Sequence, residues 1–444
     1  MISTQLENSL SRSRIEALAQ ARHEPAWMLS RRLEAREAAH ELELPSSRYT
    51  QVRGLNLAEL QPVGLDLEAT SADAVGAKRA LPLCDSQDQT DGLLIHLNGR
   101  LVHSELQAEL AHQGVLFMDF AAALAEHPEL IERYLLRESP ELSDKITALQ
   151  RALTGGGVLL YVPPNVEVQR PLKAINLLTE ENIGLFQQVL IIAEPGSRVS
   201  YVEELGSLDR QLETASAYAG DTRVYVGQAA RVDVAGVQNW APQIFNFSRR
   251  QGRLERDGRL RWTFGWLGGR LTLSQVESRF EGPGTQVEDV QIFFADGRQH
   301  FDLVSNLIHS QPHTQGKVTV KGVLKDKAKA VFWGRIRIDP EAQQANSFQS
   351  ERSLMLNEGP RSVAIPSLEI EANDVRCTHA ASSSQLDQEQ IFYLMTRGLN
   401  ENQAKKAIVD GFFEPTVRQI PLASAQEQIR ALVDRKWQNL PAEV

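Results

Sequence analysis

Val189-Leu190-Ile191-Ile192-Ala193-Glu194-Pro195-Gly196-Ser197-Arg198-Val199-Ser200-Tyr201-Val202 is the stretch on which the fold turns. Two short apolar, β-branched runs flank the turn formers Pro195-Gly196-Ser197, which reads as strand, bend, strand. The same texture recurs on both sides. Val158 to Val162, Val224 with Val226, Val232 with Val234, Leu271 with Leu273, Val318 with Val320, Ile336 with Ile338 and Leu368 with Ile370 alternate with period two. Turn formers separate them: Gly227-Gln228, Asp257-Gly258, Gly282-Pro283-Gly284, Asp296-Gly297 and Lys325-Asp326-Lys327. No helical period interrupts residues 155–375. A sandwich, a barrel and a solenoid all suit so many short strands in tandem. Two-residue hairpin signals are fewer than simple bends and the zone is long for one sandwich, which favours a parallel β-helix with stacked inward apolar residues. Gly155-Gly156-Gly157 precedes a strand and reads as a flexible entry to this zone, not as a dinucleotide fingerprint, which links strand to helix.

Outward from the β zone the pattern is helical. Pro25 stands at the start of a helix running through Trp27, Met28, Arg31, Arg32 and Leu33 to His40, and Leu44-Pro45 ends it. Residues 45–91 read as a linker, Leu93 to Leu97 as a strand with a turn at Asn98-Gly99. Phe117, Phe120, Leu124, Leu130, Ile131, Tyr134 and Leu135 follow at helical spacing, as core positions. Beyond Gln385, Asp387 with Gln390, Asn400 with Gln403 and Ser424 with Glu427 mark helix starts. Apolar stripes include Ile391, Leu394, Met395 and Ile408, then Ile429, Leu432, Val433 and Leu440. The expected division is a helical domain with linker over 1–150, the β-helix over 151–378 and a helical domain over 379–444. The helical flanks are placed to cover the two open ends of the solenoid.

The chain has 444 residues, 42% apolar and 23% charged, and Lys plus Arg less Asp plus Glu gives 47 − 57 = −10. Interspersed charge and an acidic balance exclude a broad electrostatic grip on nucleic acid or anionic lipid. Apolar runs of five or six residues fall far short of the ~20 that span a membrane. Met1 to Gln20 carry Glu7 and Glu16 and lack a secretory pattern, so a cytoplasmic protein is expected. Cys84 and Cys377 are the two cysteines, and free thiols suit that compartment better than a disulfide.

Phosphate-loop, HExxH, CxxC, GxSxG and EF-hand signatures are absent, so no catalytic role is assigned. His300, His309 and His313 fall within fourteen residues, but their spacing does not make them converge, and separate imidazoles are the simpler reading. Cys377-Thr378-His379 is more informative. On an extended strand residues two apart share a side, so a thiol and an imidazole project together as half a metal site. Further ligands must come from elsewhere in the chain or from another chain, and a purely structural role stands beside that reading. Cys84, in the polar linker, reads as incidental.

Glu369-Ile370-Glu371-Ala372-Asn373-Asp374-Val375-Arg376-Cys377-Thr378-His379-Ala380-Ala381, followed by Asp387, Gln390 and Ile391-Phe392-Tyr393-Leu394 with Arg397-Gly398, closely resembles the SufB/SufD family of the SUF iron–sulfur cluster assembly system. Pro25-Ala26-Trp27-Met28, Gln299-His300-Phe301-Asp302 and Lys321-Gly322-Val323-Leu324 fit the same family. In the SufB branch a cysteine follows the tyrosine of the Phe-Tyr pair. Leu394 follows Tyr393 here, and the C-x-H of the SufD branch is present. The resemblance implies a right-handed parallel β-helix flanked by helical domains and a scaffold without enzymatic activity of its own. It also implies pairing with SufB and docking of the ABC-type ATPase SufC through the C-terminal helices. By the same resemblance His379, with Cys377, would be metal ligands to a transient iron–sulfur cluster shared with SufB at the interface. A flavin is compatible with that system and is not readable from these residues. A homodimer of the isolated chain is equally compatible. Ala380 replaces the usual glycine after the histidine, which bears on backbone freedom there. Two rival readings remain at this stage: a carbohydrate-active β-helix enzyme, which wants paired acids along a groove, and a structural β-helix adaptor.

Overall fold

The structure is a computed structural model and describes residues 4–63, 90–137, 142–207, 212–418, 420 and 423–438. Cys84, Leu440 and much of the expected linker lie outside them.

Sixteen strands wind into a solenoid. Those of one sheet are β5 (Gly156–Val162), β7 (Ile183–Ala193), β9 (Ser216–Val226), β11 (Ile244–Leu254), β13 (Leu271–Phe280), β15 (His300–His309), β17 (Lys329–Ile338) and β19 (Arg361–Ile370). Those of the other are β6 (Leu172–Leu178), β8 (Arg198–Ser207), β10 (Arg231–Asn239), β12 (Arg259–Trp266), β14 (Gln286–Ala295), β16 (Gln315–Leu324), β18 (Asn346–Met355) and β20 (Arg376–Gln385). From β7 to β18 each strand pairs in parallel with the next strand of its own sheet on either side, so the chain crosses from sheet to sheet at every bend. This is the expected parallel β-helix. Leu271, His300 and Lys329 share one register row at intervals of 29 residues, which is the length of a coil.

Inward positions carry the core. Val232, Leu260 and Val287 stack in one row, and Val318 and Val320 continue two others. The interior is not purely apolar. Arg250 Nη2 lies 3.1 Å from Glu203 Oε2, both side chains 3% exposed, with the guanidinium 4.3 Å from the Phe264 ring centre. Corners close by main-chain bonds from coil to coil: Asn165 N–H donates to Pro195 O, Asp257 N–H to Pro283 O and His313 N–H to Gln343 O. Asn165, Asp257 and His313 take left-handed φ of 60°, 57° and 60° at these corners.

The triple glycine is not a flexible entry. Gly156 and Gly157 lie within β5, and a Cβ on Gly157, at φ 139°, would stand 1.9 Å from Gln188 O. Close backbone approach, not mobility, requires glycine there.

The first coil is closed. β2 (Gly92–Leu97) turns at Asn98-Gly99 into β3 (Arg100–Leu106), an antiparallel hairpin on β6, and β4 (Leu116–Asp119) pairs antiparallel with β5. Phe117 is therefore in a strand, and the expected helix begins at Phe120, where the Asp119 carboxylate caps Ala121 N–H at 2.9 Å. Proximity to β5's open edge overrides the helical spacing. Short β1 (Gln61–Val63) adds to β7. Helices α1 (Thr4–Ser9), α2 (Arg12–Ala21), α3 (Ala26–Glu41), α4 (Ala108–His112), α5 (Phe120–Glu126), α6 (Pro128–Leu135) and α7 (Lys145–Leu153) complete this part.

The C-terminal helices α8 (Gln388–Thr396), α9 (Glu401–Val417) and α10 (Ala423–Gln438) do not plug the other end. They lie on the outer face of the second sheet, packed on Ala235, Val237, Ile292, Phe294 and Val323. Lys436 Nζ donates to Gln299 Oε1 at 2.7 Å and Lys321 Nζ to Phe412 O at 2.6 Å. The expectation that helices cover both ends is thus corrected: those outward-facing apolar side chains on β10, β14 and β16 claim the helices for the flank.

Candidate functional site at the open last coil

Among the described residues β19 and β20 each end their sheet, paired on one side to β17 and β18 and open on the other. Cys377 and His379 sit on β20. Cys377 is in register with Ser347 and His379 with Gln349, and both partners are buried inside the solenoid at 1% and 2% exposure. The two side chains therefore share the inward-facing row at the mouth of the coil, as period two requires. Cys377 is half-buried against the interior apolar cluster, whereas His379 is exposed. Burial pushes the Cys377 thiol up to about 11, so it is protonated at neutral pH until a cation or metal arrives. Ala380 lies in ordinary extended strand in register with Ser350 and is not among the left-handed residues, so the missing glycine costs nothing.

Beneath the mouth the interior turns polar. Val318 and Val320 of β16 are followed in register by Gln349 and Glu351 of β18, with Ser347 and Ser353 alongside. Glu351 is 2% exposed, Ser353 donates its hydroxyl to it, and Oε2 has no partner among the described residues. Burial holds its carboxyl above the usual range despite that hydrogen bond. Glu351 is in register with Ala381 in the next strand, so it lies on the same inward side as His379 and Gln349, one inward position further along. These groups were not singled out from sequence. Ser347, Gln349, Glu351 and Ser353 are polar at alternate positions in the sequence, but only the strand register shows that those positions face inward.

The histidine trio does not converge. His300 meets Thr50 Oγ1 at 3.0 Å, and burial, aided by Lys329, lowers it to about 4. His309 is interior, stacked 4.0 Å from Phe280, with Nδ1 2.7 Å from Thr314 Oγ1 and Nε2 3.3 Å from Ser347 Oγ, and burial lowers it to about 4. Both are neutral structural groups at pH 7. No three His, Cys, Asp or Glu side chains among the described residues gather as a metal site. The mouth carries one imidazole and one thiol beside two strand edges that no described residue pairs.

Of the four apolar residues of the C-terminal stripes, Ile391 is buried, Leu394 and Ile408 are partly buried against the same cluster, and Met395 is exposed. The face that α8 turns outward is Phe392, Tyr393 and Met395, at 68%, 56% and 42% exposure.

Comparison with known proteins matches these features to a single family. Residues 176–412 match the family described as SUF system FeS cluster assembly, SufBD core domain, and residues 10–174 the SufBD protein N-terminal region. The chain is 31% identical over 432 residues to the iron–sulfur cluster assembly protein SufD of Bacillus subtilis strain 168, covering 96% of this chain and 98% of that one. It is 28% and 29% identical to SufBD family proteins of Staphylococcus saprophyticus and Staphylococcus haemolyticus, covering 96% of this chain and 93% of each. The winding of β5 to β20, the Cys-x-His on its last strand and these matches along nearly the whole length agree, and the chain belongs to the SufBD family of SUF iron–sulfur cluster assembly proteins.

Proposed function

We propose that this chain is a non-enzymatic scaffold subunit that pairs with SufB across the open last coil and docks the SufC ATPase on its C-terminal helices. His379 and Cys377 then contribute ligands to a transient iron–sulfur cluster shared with SufB. The observation that carries this reading is the last coil itself: two unpaired parallel edges with one imidazole and one half-buried thiol at their mouth. An exposed sheet edge is a template for another chain's strand. A partner solenoid seated there would desolvate the mouth and supply the missing ligands. Imidazole can replace thiolate at cluster iron, and a cluster held between chains opens when the chains move apart, which suits a site that must release its product. SufC, by hydrolysing ATP, would drive that movement. The outward face of Phe392, Tyr393 and Met395 is an apolar surface for it, of the kind that helix faces offer partners. In isolation the same edges are open to a second copy of this chain.

The absence of a phosphate loop supports the division of labour with an ATPase. The test is co-expression with SufB and SufC followed by purification through a tag on this chain. A coloured, iron-containing complex of all three is expected, and recovery of this chain without SufB would refute the assignment.

A further inference from the structure

The C-terminal helices cover only part of the second sheet's outer face. They pack on Ala235 and Val237 of β10, and the same outward side of that strand carries Arg231 and Asp233 ahead of them. There an open groove of about 700 Å³ crosses β8 to β18. Two register rows run along it at right angles to the strands. One is Arg198, Arg231, Arg259, Gln286, Gln315 and Asn346, and the other is Asp233, Arg261, Glu288, Lys317 and Phe348.

The first row works against the fold. Three arginines follow one another on adjacent strands about 4.8 Å apart, and like charges side by side in a sheet repel. The surrounding carboxylates do not balance them. Arg198, Arg231, Arg259, Arg261 and Lys317 line the groove with Asp233 and Glu288 as its anions. Glu288 is taken by Arg261 at 2.6 Å and Lys317 at 3.5 Å, and Glu167 at the edge by Arg198 at 3.2 Å. Burial raises the Asp233 carboxyl above the usual range against the pull of Arg261, Arg231 and Arg198. At the adjoining corners Glu255 is engaged by Arg137 at 3.5 Å and Glu281 by Arg253 at 3.2 Å. With Asp233, Glu288 and Glu167 all counted as charged, five cations still exceed the anions by two. The Arg231 and Arg259 guanidiniums make no hydrogen bond or ion pair with any described residue.

The other half of the row carries amides. Gln286, Gln315 and Asn346 each offer a donor and an acceptor, as a peptide main chain does, and Phe348, 39% exposed, stands beside them in the second row. From Arg198 to Asn346 is five strand spacings, roughly 24 Å, the length of about seven residues of extended chain. A single phosphate cannot use both halves. A nucleic acid would meet cations along only half of the row, on a chain whose net charge of −10 repels it.

We propose that this face docks an acidic polypeptide segment laid across the strands, its carboxylates on Arg231 and Arg259 and its main chain along the amides. Arginine forks match carboxylates, and complementary charge steers such a partner. The surface uses none of the residues of the last-coil mouth or of the outward face of α8, so its test needs neither SufB, SufC nor iron.

The experiment is fluorescence anisotropy of the full chain with labelled heptaglutamate at low salt, beside heptaglutamine and heptathymidylate. Heptaglutamate is expected to bind at least ten-fold more tightly than either, and to weaken as salt rises. Arg231→Gln and Arg259→Gln together should weaken it at least ten-fold, whereas Arg14→Gln, at an exposed arginine on α2, should leave it unchanged. Circular dichroism and thermal unfolding establish that the double variant is folded, and the two single variants, each with a smaller loss, replace it if it is not. Absence of heptaglutamate binding at millimolar concentration, an equal loss in Arg14→Gln, or parental affinity in the folded variants overturns the proposal. So does tighter binding of heptathymidylate, since the face would then be one for nucleic acid.

Discussion

Asp289 shows how much chemistry the solenoid encloses at one residue. It is fully buried in β14, accepts hydrogen bonds at Oδ2 from Ser305 at 2.6 Å and Gln291 at 3.1 Å, and leaves Oδ1 without a partner among the described residues. Burial outweighs those bonds and the pull of Arg250, raising the carboxyl to about 6 from an ordinary 3.8. The folded protein therefore holds this proton more tightly than the unfolded chain. Its contribution to stability is full below about pH 4 and is lost as the pH rises through about 6, about 3 kcal/mol in all. Asp289→Asn keeps both hydrogen bonds through its carbonyl and never ionises. Urea unfolding should show the variant gaining about 2 kcal/mol on the parent between pH 4.5 and 7, whereas parallel profiles would contradict the assignment. Residues of this kind were only partly legible in the sequence. Cys377 and His379 were, because period two alone puts them on one side of a strand. Glu351, Gln349 and Asp289 were not: a polar residue at an inward position is written like one at an outward position until register is known.

At the scale of elements, the bends and β-branched runs announced the solenoid, and Asn98-Gly99 announced its hairpin cap. What escaped was decided by neighbours far along the chain. β4 forms because β5 offers it an edge, and the C-terminal helices lie on the flank because β10, β14 and β16 turn Ala235, Val237, Ile292, Phe294 and Val323 outward. That placement separates two roles on α8. Ile391 is buried against the solenoid flank, so Ile391→Ala should cost about 2–5 kcal/mol in urea unfolding. Phe392 is 68% exposed, so Phe392→Asp should shift stability by less than about 0.5 kcal/mol while weakening SufC binding at least ten-fold. A Phe392→Asp chain that binds SufC as the parent does would remove this face from the docking surface. Point variants are preferable here to deleting residues 385–444, which would strip the flank of its cover. Deeper in the solenoid, Arg250→Ala leaves Glu203 buried without its cation and should cost about 3–5 kcal/mol, read from the shift in the urea midpoint.

For the whole molecule, the asymmetry between its ends is the main finding. Among the described residues the first coil is sealed by β3, β4 and helices, while the last presents two unpaired edges, the half-buried Cys377 and the exposed His379. An unpaired sheet edge is a template on which another chain's strand can add. Sequence could place the Cys-x-His at the end of the β zone but not show that the end stays uncovered, since that depends on where three amphipathic helices settle. We propose that this open mouth lends ligands to a cluster completed by SufB. The most direct measurement is iron content per complex after co-expressing His379→Ala with SufB and SufC, beside the parent and Cys377→Ala. Loss of most iron from an intact three-chain His379→Ala complex, with a smaller loss for Cys377→Ala, is the expected result. An intact His379→Ala complex with full iron content would contradict it.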